Sequence, residues 1–419
     1  MRILYTFCFY LLLPVVLFRL WWKGRRSPGY RARLAERFGL FPAPAPGGIW
    51  VHAVSLGETI AALPLIKALQ ERYPNQPLTV TTTTPTGSQR VRAALGDSVC
   101  HVYAPYDLPD CLSRFLDRVR PRLLIVMETE LWPNTLRACA ARGIPTLLAN
   151  ARLSARSARG YARFPALTGP MLDCLSLVAA QHGDDAGRFV GLGMPETRVR
   201  VTGSIKFDLS VAEDLPARAQ ALRATWGSGR PVVIAASTHR GEDEQVLAAF
   251  ATIRSRQPDA LLLLVPRHPE RFDEVAALIR GQGLSCVRRS EGGACGPATA
   301  VFLGDTMGEL MLFYAAADVA FVGGSLVGVG GHNLLEPAAL GVPALTGPHY
   351  FNFADITRSL IAAGGVREVA DADALAEAVL AWLGNAEARQ AAGASARAVV
   401  AQNRGALARL LALIAETLR

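Results

Sequence analysis

The alternation of short apolar runs with helix-like stretches constrains the fold of this chain more than any other feature. The apolar runs span residues 48–53, 78–83, 122–128, 145–151, 175–180, 231–237, 261–267, 299–305, 317–324 and 342–347. Turn residues bound the runs and helix-like stretches separate them, a pattern that predicts parallel strands joined by crossover helices. Because the alternation lapses between residues 208 and 230, we predict two doubly wound sheets in the chain.

The chain has 419 residues, enough for two domains of ordinary size and additional segments. We predict a membrane anchor at 1–22, a basic linker region at 23–46, a Rossmann-like domain at 47–209, an interdomain linker at 210–230 and a second Rossmann-like domain at 231–419. Two such domains facing a central cleft form the α/β arrangement called GT-B. Nucleotide-sugar glycosyltransferases, sugar-nucleotide epimerases and phosphorylases share this arrangement, so the fold alone does not identify the reaction.

The N-terminal segment has the properties of an uncleaved membrane anchor. Residues 3–22 are apolar apart from Arg19, and about 20 residues suffice for a helix to cross the hydrocarbon layer. The basic residues that follow place the rest of the chain in the cytoplasm and disfavour a cleaved signal peptide. Pro14 and Arg19 leave open a shallower insertion into the inner leaflet. We interpret the basic cluster as a contact for anionic lipid and not for nucleic acid.

Cysteine usage and missing motifs limit the cofactors to be expected. The seven cysteines are scattered without a CxxC pair, which argues against a zinc site and for a reducing compartment. The sequence has no Asp-x-Asp motif after a strand and no Walker-type glycine-rich motif. We therefore expect no cofactor and a metal-independent reaction in which helix amides and basic side chains bind the phosphate.

The stretch from Gly323 to Phe353 predicts a nucleotide site in the second domain. It follows an apolar run and is rich in glycine, as in turns that present backbone amides to phosphates. Asn333 and Glu336 follow at a helical i, i+3 spacing, and a carboxylate there suits the two donor hydroxyls of a ribose. The alternative is a glycine-rich surface loop followed by an ordinary helix start.

In the first domain, acidic residues follow two predicted strands. Glu58, in HAVSLGET, could act as a general base if it is partly desolvated, or could be an ordinary glutamate at a helix N-terminus. Glu128 and Glu130, in METELWPN, could position the base or the acceptor, or cap the next helix. His52 lies on the same strand end as the Glu58 motif and is either a supporting or a packing residue.

Cationic residues lie where the first domain ends and just after a predicted strand of the second domain. Lys206, in GSIKFD, and Arg267 with His268, in VPRHPERF, suit an anionic leaving group. Gly308 and Glu309, in LGDTMGEL, form either a turn whose amides bind phosphate or base, or a simple capping turn. The segment STHRGEDE, at 237–244, predicts a capped helix start whose acids are mostly solvated.

Taken together, the motifs resemble those of a known family. HAVSLGE, METELWPN, GSIKFD, VPRHPERF, GDTMGEL and GGHNLLEP occur in the order and approximate spacing of the transferases of 3-deoxy-D-manno-octulosonic acid (Kdo) in lipopolysaccharide synthesis. The resemblance covers nearly the whole chain. It implies an inverting GT-B enzyme that moves one or more Kdo units from CMP-Kdo to lipid A precursor (lipid IVA). It also implies an N-terminal anchor and catalysis at the cytoplasmic face of the inner membrane.

The resemblance also implies roles for individual residues. The 47–209 domain would bind the acceptor and the 231–419 domain the CMP-sugar. Glu58 would be the general base, and Glu128 and Lys206 would assist the transition state. The CMP site would comprise Pro266, Arg267, Gly308, Glu309, Leu310, Asn333, Leu334, Leu335 and Glu336.

Two other functions fit parts of the sequence. A sugar-nucleotide 2-epimerase shares the fold, but such enzymes are usually soluble, so the apolar segment and METELWPN argue against it. A non-enzymatic, membrane-tethered nucleotide-binding module would not need Glu58. The expected partners are therefore CMP-Kdo, lipid A precursor and anionic inner-membrane lipid, with no nucleic acid.

Overall fold

The computed structural model describes residues 1–227 and 229–418, except for the side chain of Arg26. Within these residues the chain forms two compact units. Unit 1 comprises Met1–Asp208 together with the C-terminal segment that begins at Arg404, and unit 2 comprises Leu209–Asn403.

Each unit is built around a parallel sheet. The strands are β1 Ile49–His52, β2 Leu78–Thr82, β3 Cys100–Tyr103, β4 Leu123–Met127, β5 Thr146–Ala151, β6 Leu177–Ala180, β7 Val199–Val201, β8 Val232–Thr238, β9 Leu261–Pro266, β10 Cys286–Arg288, β11 Val301–Leu303, β12 Val319–Val322, β13 Ala344–Thr346 and β14 Val366–Glu368. The strand orders are β3-β2-β1-β4-β5-β6-β7 in unit 1 and β10-β11-β9-β8-β12-β13-β14 in unit 2. The prediction of two doubly wound parallel sheets is confirmed.

Helices connect the strands and cover the sheets. They are α1 Arg2–Arg26, α2 Leu56–Arg72, α3 Pro85–Leu95, α4 Pro109–Val119, α5 Pro133–Ala140, α6 Ala155–Ala162, α7 Pro165–Leu172, α8 Gly183–Gly191, α9 Leu215–Ala224, α10 Asp243–Arg256, α11 Phe272–Gly281, α12 Leu310–Ala315, α13 Leu335–Leu340, α14 Ala354–Ala362, α15 Ala372–Leu383, α16 Ala386–Asn403 and α17 Ala406–Thr417. Because every strand pair is parallel, the strands of each sheet end at one common edge, where ligands of open α/β sheets bind.

The two units depart from the predicted domain boundaries at the C-terminus. Helix α17 belongs to unit 1, since Ala406, Leu410 and Ile414 are buried in the core that contains strand β1. The carboxylate of Asp208 accepts hydrogen bonds from the backbone amides of Gly405 and Leu407, at 2.6 and 2.5 Å. The second domain therefore ends at 403 and not at 419, because the last helix buries its apolar face in the first unit.

The two segments predicted as linkers also have defined structure. Residues 210–230 contain α9, which is held in unit 2 by an ion pair of 2.7 Å between Arg223 Nη2 and Asp318 Oδ2. Residues 23–46 contain two short 3₁₀ helices, and Arg37 is buried there and donates to the carbonyl oxygen of Thr83. The polar composition of both segments suggested linkers. Arg223 and Arg37 instead bind a carboxylate and a backbone carbonyl of their own units, so both segments are part of the folded units.

Two stretches of the described residues are long and apolar enough to cross a membrane, Arg2–Arg25 and Ala386–Thr417. The second comprises α16 and α17, which bury apolar side chains in the protein cores. The first coincides with α1. Length and composition alone are weak evidence for a membrane span, so the anchor at 1–22 stays a prediction.

Candidate functional site

Glu58 lies at the start of α2, directly after strand β1. Ser55 is the N-cap, and the Ser55 hydroxyl and the Glu58 carboxylate form a capping box. Glu58 Oε1 accepts from the Ser55 hydroxyl at 2.7 Å and from the Ser55 amide at 3.3 Å. Among the described residues, only the Val54 amide donates to Oε2, at 2.8 Å. The side chain is therefore fixed in place by helix capping, and Oε2 keeps capacity to accept a further proton donor.

The surroundings of Glu58 favour its protonated form. Burial raises the pKa of its carboxyl group above the usual value, and the negative charges of Glu130 and Glu128 raise the pKa further. The hydrogen bonds from Ser55 and Val54 oppose this increase. A buried carboxylate with a raised pKa is a stronger base than an exposed one, which is the property a general base requires.

The structure brings Glu128 and Lys206 together from positions 78 residues apart. Lys206 Nζ lies 2.8 Å from Glu128 Oε1, and both side chains are partly exposed. Asn150 positions the lysine segment, because its Oδ1 accepts from the amide of Ile205 at 3.2 Å. Asn150 is buried, and sequence analysis missed it, although an asparagine at the end of an apolar strand was a signal for a structural role.

Glu128 and Glu130 have different partners despite their proximity in sequence. Glu130 Oε2 accepts from Trp132 Nε1 at 2.9 Å, and the Trp132 ring contacts His52 edge-to-face at a centroid distance of 5.2 Å. Burial lowers the pKa of His52 to about 4, so its imidazole is neutral at neutral pH. His52 is buried and bonded to Thr81, which makes it a packing and supporting residue.

Backbone conformation is unusual at these strand ends. Glu128 has φ 57°, Asn150 has φ 52° and Ser237 has φ 59°, all in the left-handed region. They lie at the C-terminal ends of β4, β5 and β8. Such a conformation costs on the order of 1 kcal/mol or more per residue and tends to occur at functional sites. These outliers support a site at the carboxyl edge of each sheet.

In unit 2, Asn333 and Glu336 interact as their spacing suggested. Asn333 Nδ2 donates to Glu336 Oε1 at 3.3 Å, and Asn333 Oδ1 accepts from the amide of Leu335 at 3.1 Å. Burial raises the pKa of Glu336, while the hydrogen bond from Asn333 and the charge of Arg267 lower it. Leu334 and Leu335 are buried in the core, so only their backbone groups could contact a nucleotide.

The glycine-rich loop does not present its first amides to a phosphate, contrary to the prediction. The buried carboxylate of Glu242 accepts from the amides of Gly324, Ser325 and Leu326, at 2.7, 3.0 and 2.9 Å. Gly323 is required at this approach, because a Cβ there would lie 2.7 Å from Glu242 Oε2. An internal carboxylate therefore occupies the position expected for an anion.

The expectation of solvated acids at 237–244 is also wrong for two of them. Glu242 and Asp243 are both fully buried. Asp243 forms an ion pair with the buried Arg271 and accepts from the Thr238 hydroxyl at 2.6 Å. The sequence STHRGEDE resembles any capped helix start, so nothing local distinguishes its buried acids from the exposed Glu244.

A histidine cluster lies beside Arg267 at the ends of β8 and β9. The Nε2 atoms of His239 and His332 are 2.8 Å apart, and their rings are stacked at a centroid distance of 5.1 Å. The ring of His268 contacts His239 edge-to-face at 5.3 Å. Burial and neighbouring cations, including Arg267, lower the pKa of His332 to about 4. Burial and nearby cations, among them Arg271 and Arg267, also lower the pKa of His239, so the surroundings favour the neutral form of both stacked imidazoles.

The remaining predicted nucleotide residues lie at strand and helix termini. Pro266 is the last residue of β9, and Gly308, with φ 85°, precedes α12, which begins at Leu310. The carboxylate of Glu309 is engaged by Arg289 at 2.7 and 3.0 Å, which lowers its pKa. This segment therefore offers a ligand its backbone and not the Glu309 side chain.

No group of three or more His, Cys, Asp or Glu side chains suited to a metal ion occurs among residues 1–227 and 229–418. The polar groups that the structure does assemble are a buried acid beside a Glu–Lys pair in unit 1, and an Asn–Glu pair beside imidazoles and an arginine in unit 2. These groups can take up a proton and bind hydroxyls and an anion.

Comparison with known proteins identifies a family over most of the chain. A family model described as 3-deoxy-D-manno-octulosonic-acid transferase (kdotransferase) matches residues 32–209, and one described as glycosyl transferases group 1 matches residues 233–399. The 3-deoxy-D-manno-octulosonic acid transferase of Haemophilus influenzae is 48% identical over 417 residues, which cover 99% of this chain and 98% of that protein.

Two solved structures are also similar. The C-terminal CMP-Kdo binding domain of WaaA from Acinetobacter baumannii is 41% identical, and the match covers 45% of this chain and 99% of that domain with a TM-score of 0.44. A UDP-GlcNAc 2-epimerase from Neisseria meningitidis is 15% identical over 84% of this chain and 98% of that enzyme, with a TM-score of 0.51. At this low identity the epimerase shares the GT-B fold alone.

The strong sequence match therefore decides between the functions that the fold left open. It excludes the 2-epimerase and the non-enzymatic module as descriptions of this chain. The chain belongs to the Kdo transferase family, the glycosyltransferases that handle 3-deoxy-D-manno-octulosonic acid in lipopolysaccharide synthesis.

Proposed function

We propose that this chain transfers Kdo from CMP-Kdo to lipid A precursor (lipid IVA), with inversion at the anomeric carbon. The observation that carries the proposal is the environment of Glu58, a buried carboxylate with a raised pKa. Within the part of the chain that the structure describes, its Oε2 accepts one hydrogen bond, from the Val54 amide. The ion pair of Glu128 and Lys206, which belongs to the same unit, supplies opposite charges near this base.

In the proposed reaction, a glucosamine hydroxyl of lipid A precursor attacks C2 of Kdo. Glu58 takes the proton of that hydroxyl, the new C–O bond forms, and the bond between C2 and the phosphate oxygen breaks with its electron pair leaving on CMP. Attack on the face opposite to the leaving group inverts the configuration. The transition state carries oxocarbenium character, as in glycoside hydrolysis.

Unit 2 would bind CMP. The Glu336 carboxylate, oriented by Asn333, would accept hydrogen bonds from the ribose hydroxyls. Because Glu242 already binds the first amides of the glycine-rich loop, side chains would bind the phosphate. Arg267 would supply a positive charge, and the imidazoles of His239 and His332 could donate hydrogen bonds. The backbone of Pro266, Gly308 and Leu310 would complete the site.

The Glu128–Lys206 pair would assist the transition state. The Lys206 ammonium group would stabilise the negative charge that develops on the departing phosphate. Before the reaction, the Glu128 carboxylate holds this ammonium group at 2.8 Å. A monophosphate leaving group needs less neutralisation than a diphosphate, so we propose that the reaction proceeds without a metal ion or other cofactor.

Membrane association completes the proposal. We place the enzyme at the cytoplasmic face of the inner membrane, where the lipid acceptor resides and where α1, apolar on its exposed face, can enter lipid. The net charge of +9 favours binding to anionic lipid. It also favours faster association with the two anionic substrates. No nucleic acid is required.

The decisive experiment measures transfer from freshly prepared, metal-free CMP-Kdo to tetraacylated lipid A precursor in EDTA, with the product mass as the readout. A gain of one or more Kdo units is expected. A product that forms only when magnesium is restored would refute metal independence alone. Absence of product under both conditions would refute the proposed reaction.

Site variants test the role of the base. Glu58→Gln should lower kcat by about 10²–10⁴-fold, the usual contribution of general-base catalysis, and leave CMP affinity unchanged in calorimetry. Glu71→Gln, an exposed glutamate on the same helix, is the matched control and should behave like the wild type. Equal activity of the two variants would refute the assignment of Glu58.

A further inference from the structure

Helix α1 has two apolar faces with different environments. Phe9, Leu13, Val16, Leu17 and Leu20 pack on the surface of unit 1 against a cluster formed by Tyr106, Leu108 and Cys111. The opposite face carries exposed apolar side chains at helical spacing. These are Ile3, Phe7, Leu11, Val15 and Phe18, each exposed by between 61% and 80% of its surface. One face thus rests on protein, and the other is open.

Polar contacts fix the N-terminal half of α1 to unit 1 as well. The Thr6 hydroxyl and the Asn134 side chain exchange hydrogen bonds at 2.9 and 3.1 Å, and Arg2 Nη1 donates to Asn134 Oδ1 at 3.2 Å. One helical turn further, the Tyr10 hydroxyl donates to Asp110 Oδ1 at 2.6 Å. The helix is therefore attached along its length and not only where the chain continues into the unit.

These contacts conflict with a helix that crosses the bilayer. A helix rises about 1.5 Å per residue, so Thr6 and Leu20 are about 21 Å apart along α1, most of the roughly 30 Å of a hydrocarbon layer. If α1 crossed the layer with its contacts intact, Asp110 and the neighbouring Arg114 would enter the hydrocarbon, where charged groups are strongly unfavourable. Spanning therefore requires the contacts of Arg2, Thr6 and Tyr10 to break.

We propose that α1 lies in the plane of the membrane, with its exposed face inserted into one leaflet of anionic lipid and its other face on unit 1. This inference rests on the proposed membrane function and specifies its geometry. The residues at the C-terminal end of α1 suit the lipid interface, since Arg25 lies over the ring of Trp21 at 4.4 Å and over that of Trp22 at 5.0 Å. Arg31 also lies over Trp21, at 4.9 Å. Aromatic rings with adjacent cations favour an anionic headgroup layer.

An in-plane helix would bring the membrane surface close to METELWPN, the motif that contains Glu128, Glu130 and Asn134. Asn134, which holds Thr6, lies on α5 only a few residues after Glu128 and Glu130. Its amide and that of Thr135 donate to the carboxylate of the buried Asp107, at 3.0 and 2.6 Å. A lipid acceptor drawn from the same leaflet would therefore need no transfer across the bilayer to approach these glutamates.

The depth of single labels in lipid tests this geometry. Full-length protein in which serine replaces the exposed Cys8 and the partly exposed Cys100, Cys174, Cys286 and Cys295 receives one cysteine, at Phe7, Leu11 or Val15. This cysteine carries a fluorophore, and the labelled protein is bound to vesicles that contain anionic lipid. Depth-dependent quenching should give the same depth for all three sites. A spanning helix would separate the Phe7 and Val15 labels by about 12 Å, since the two positions are eight residue steps of about 1.5 Å apart.

A disulfide test provides a second readout in the same membranes. The pair Thr6→Cys and Asn134→Cys should crosslink on mild oxidation, whereas Phe7→Cys with Asn134→Cys should not, because Phe7 lies on the exposed face. Graded label depths, labels that remain in water, or crosslinking in detergent but not in membranes would each overturn the in-plane geometry. The transfer activity of the labelled proteins tests the proposed function separately. A failure of the in-plane geometry would therefore leave the proposed reaction standing, and a failure of the reaction would leave the geometry standing.

Discussion

Replacing Glu242 by glutamine tests whether an internal carboxylate organises the nucleotide loop. Oε1 accepts from the amides of Ser325 and Leu326, and Oε2 accepts from those of His239 and Gly324. A glutamine side chain offers one acceptor oxygen, so its NH₂ group must face two backbone donors. Two buried amides then lack an acceptor, at about 1–3 kcal/mol each, which predicts a destabilisation of roughly 2–6 kcal/mol.

The measurement combines thermal unfolding with amide hydrogen exchange of the full chain. For a unit of this size, a loss of at least about 2 kcal/mol should lower Tm by at least about 4 °C. The amides of Gly324, Ser325 and Leu326 should exchange faster in Glu242→Gln, and CMP affinity should fall because the loop leads into Asn333. The matched control is Glu244→Gln, an exposed acid in the first turn of α10, two residues after Glu242. If both variants melt and exchange like the wild type, the reasoning is refuted.

Three other changes have directions set by the structure. Glu130→Gln removes a negative charge that raises the pKa of Glu58, so the acidic limb of the pH profile of kcat/KM should move to lower pH, because the base stays deprotonated there. Arg271→Ala leaves the buried Asp243 without its ion-pair partner and should cost about 3–5 kcal/mol in urea unfolding. Leu410→Ala should destabilise unit 1 by about 2–5 kcal/mol and leave hydrogen exchange in unit 2 unchanged, because Leu410 is buried in the unit 1 core.

Each of these predictions has a contradicting outcome. If the acidic limb of the kcat/KM profile of Glu130→Gln stays in place or moves to higher pH, the charge of Glu130 does not raise the pKa of Glu58. Arg240→Ala, which breaks an exposed pair with Glu274, is the control for the buried pair and should leave stability unchanged. Equal urea midpoints for the two arginine variants would contradict the cost of an unpaired buried charge. Faster exchange in unit 2 after Leu410→Ala would contradict the assignment of α17 to unit 1.

The strands show what a sequence pattern can and cannot predict. All ten predicted strands are present, whereas β3, β7, β10 and β14 were not predicted, and these four are the edges of the two sheets. Central parallel strands are covered on both faces and appear as continuous apolar runs. An edge strand has one unpaired side and partial exposure, as in β10, where every residue is only half-buried. Its sequence therefore resembles that of a loop.

The candidate site divides in a similar way. Glu58 and Glu128 could be selected from the sequence because each lies at the end of an apolar run, and parallel strands end at one edge. Lys206 could be selected because it is a cation at the point where the first domain ends. The ion pair of Glu128 and Lys206 could not be derived, since it joins strand ends 78 residues apart and depends on Asn150 to position the lysine segment. The roles that the family resemblance implies for these residues stay proposals until the variants are measured.

The sequence by itself determined the two parallel sheets, the order of the motifs and the apolar character of α1, because hydrophobic periodicity and turn residues act over short distances. Tertiary structure alone decided that Glu242 and Asp243 are buried, that α17 returns to unit 1 and that α1 rests on protein along one face. These outcomes depend on which surfaces pack together after folding. A buried acid is stable only if hydrogen-bond donors or a cation from distant segments lie beside it. Local patterns specify the elements, and long-range contacts decide the partners of each polar group.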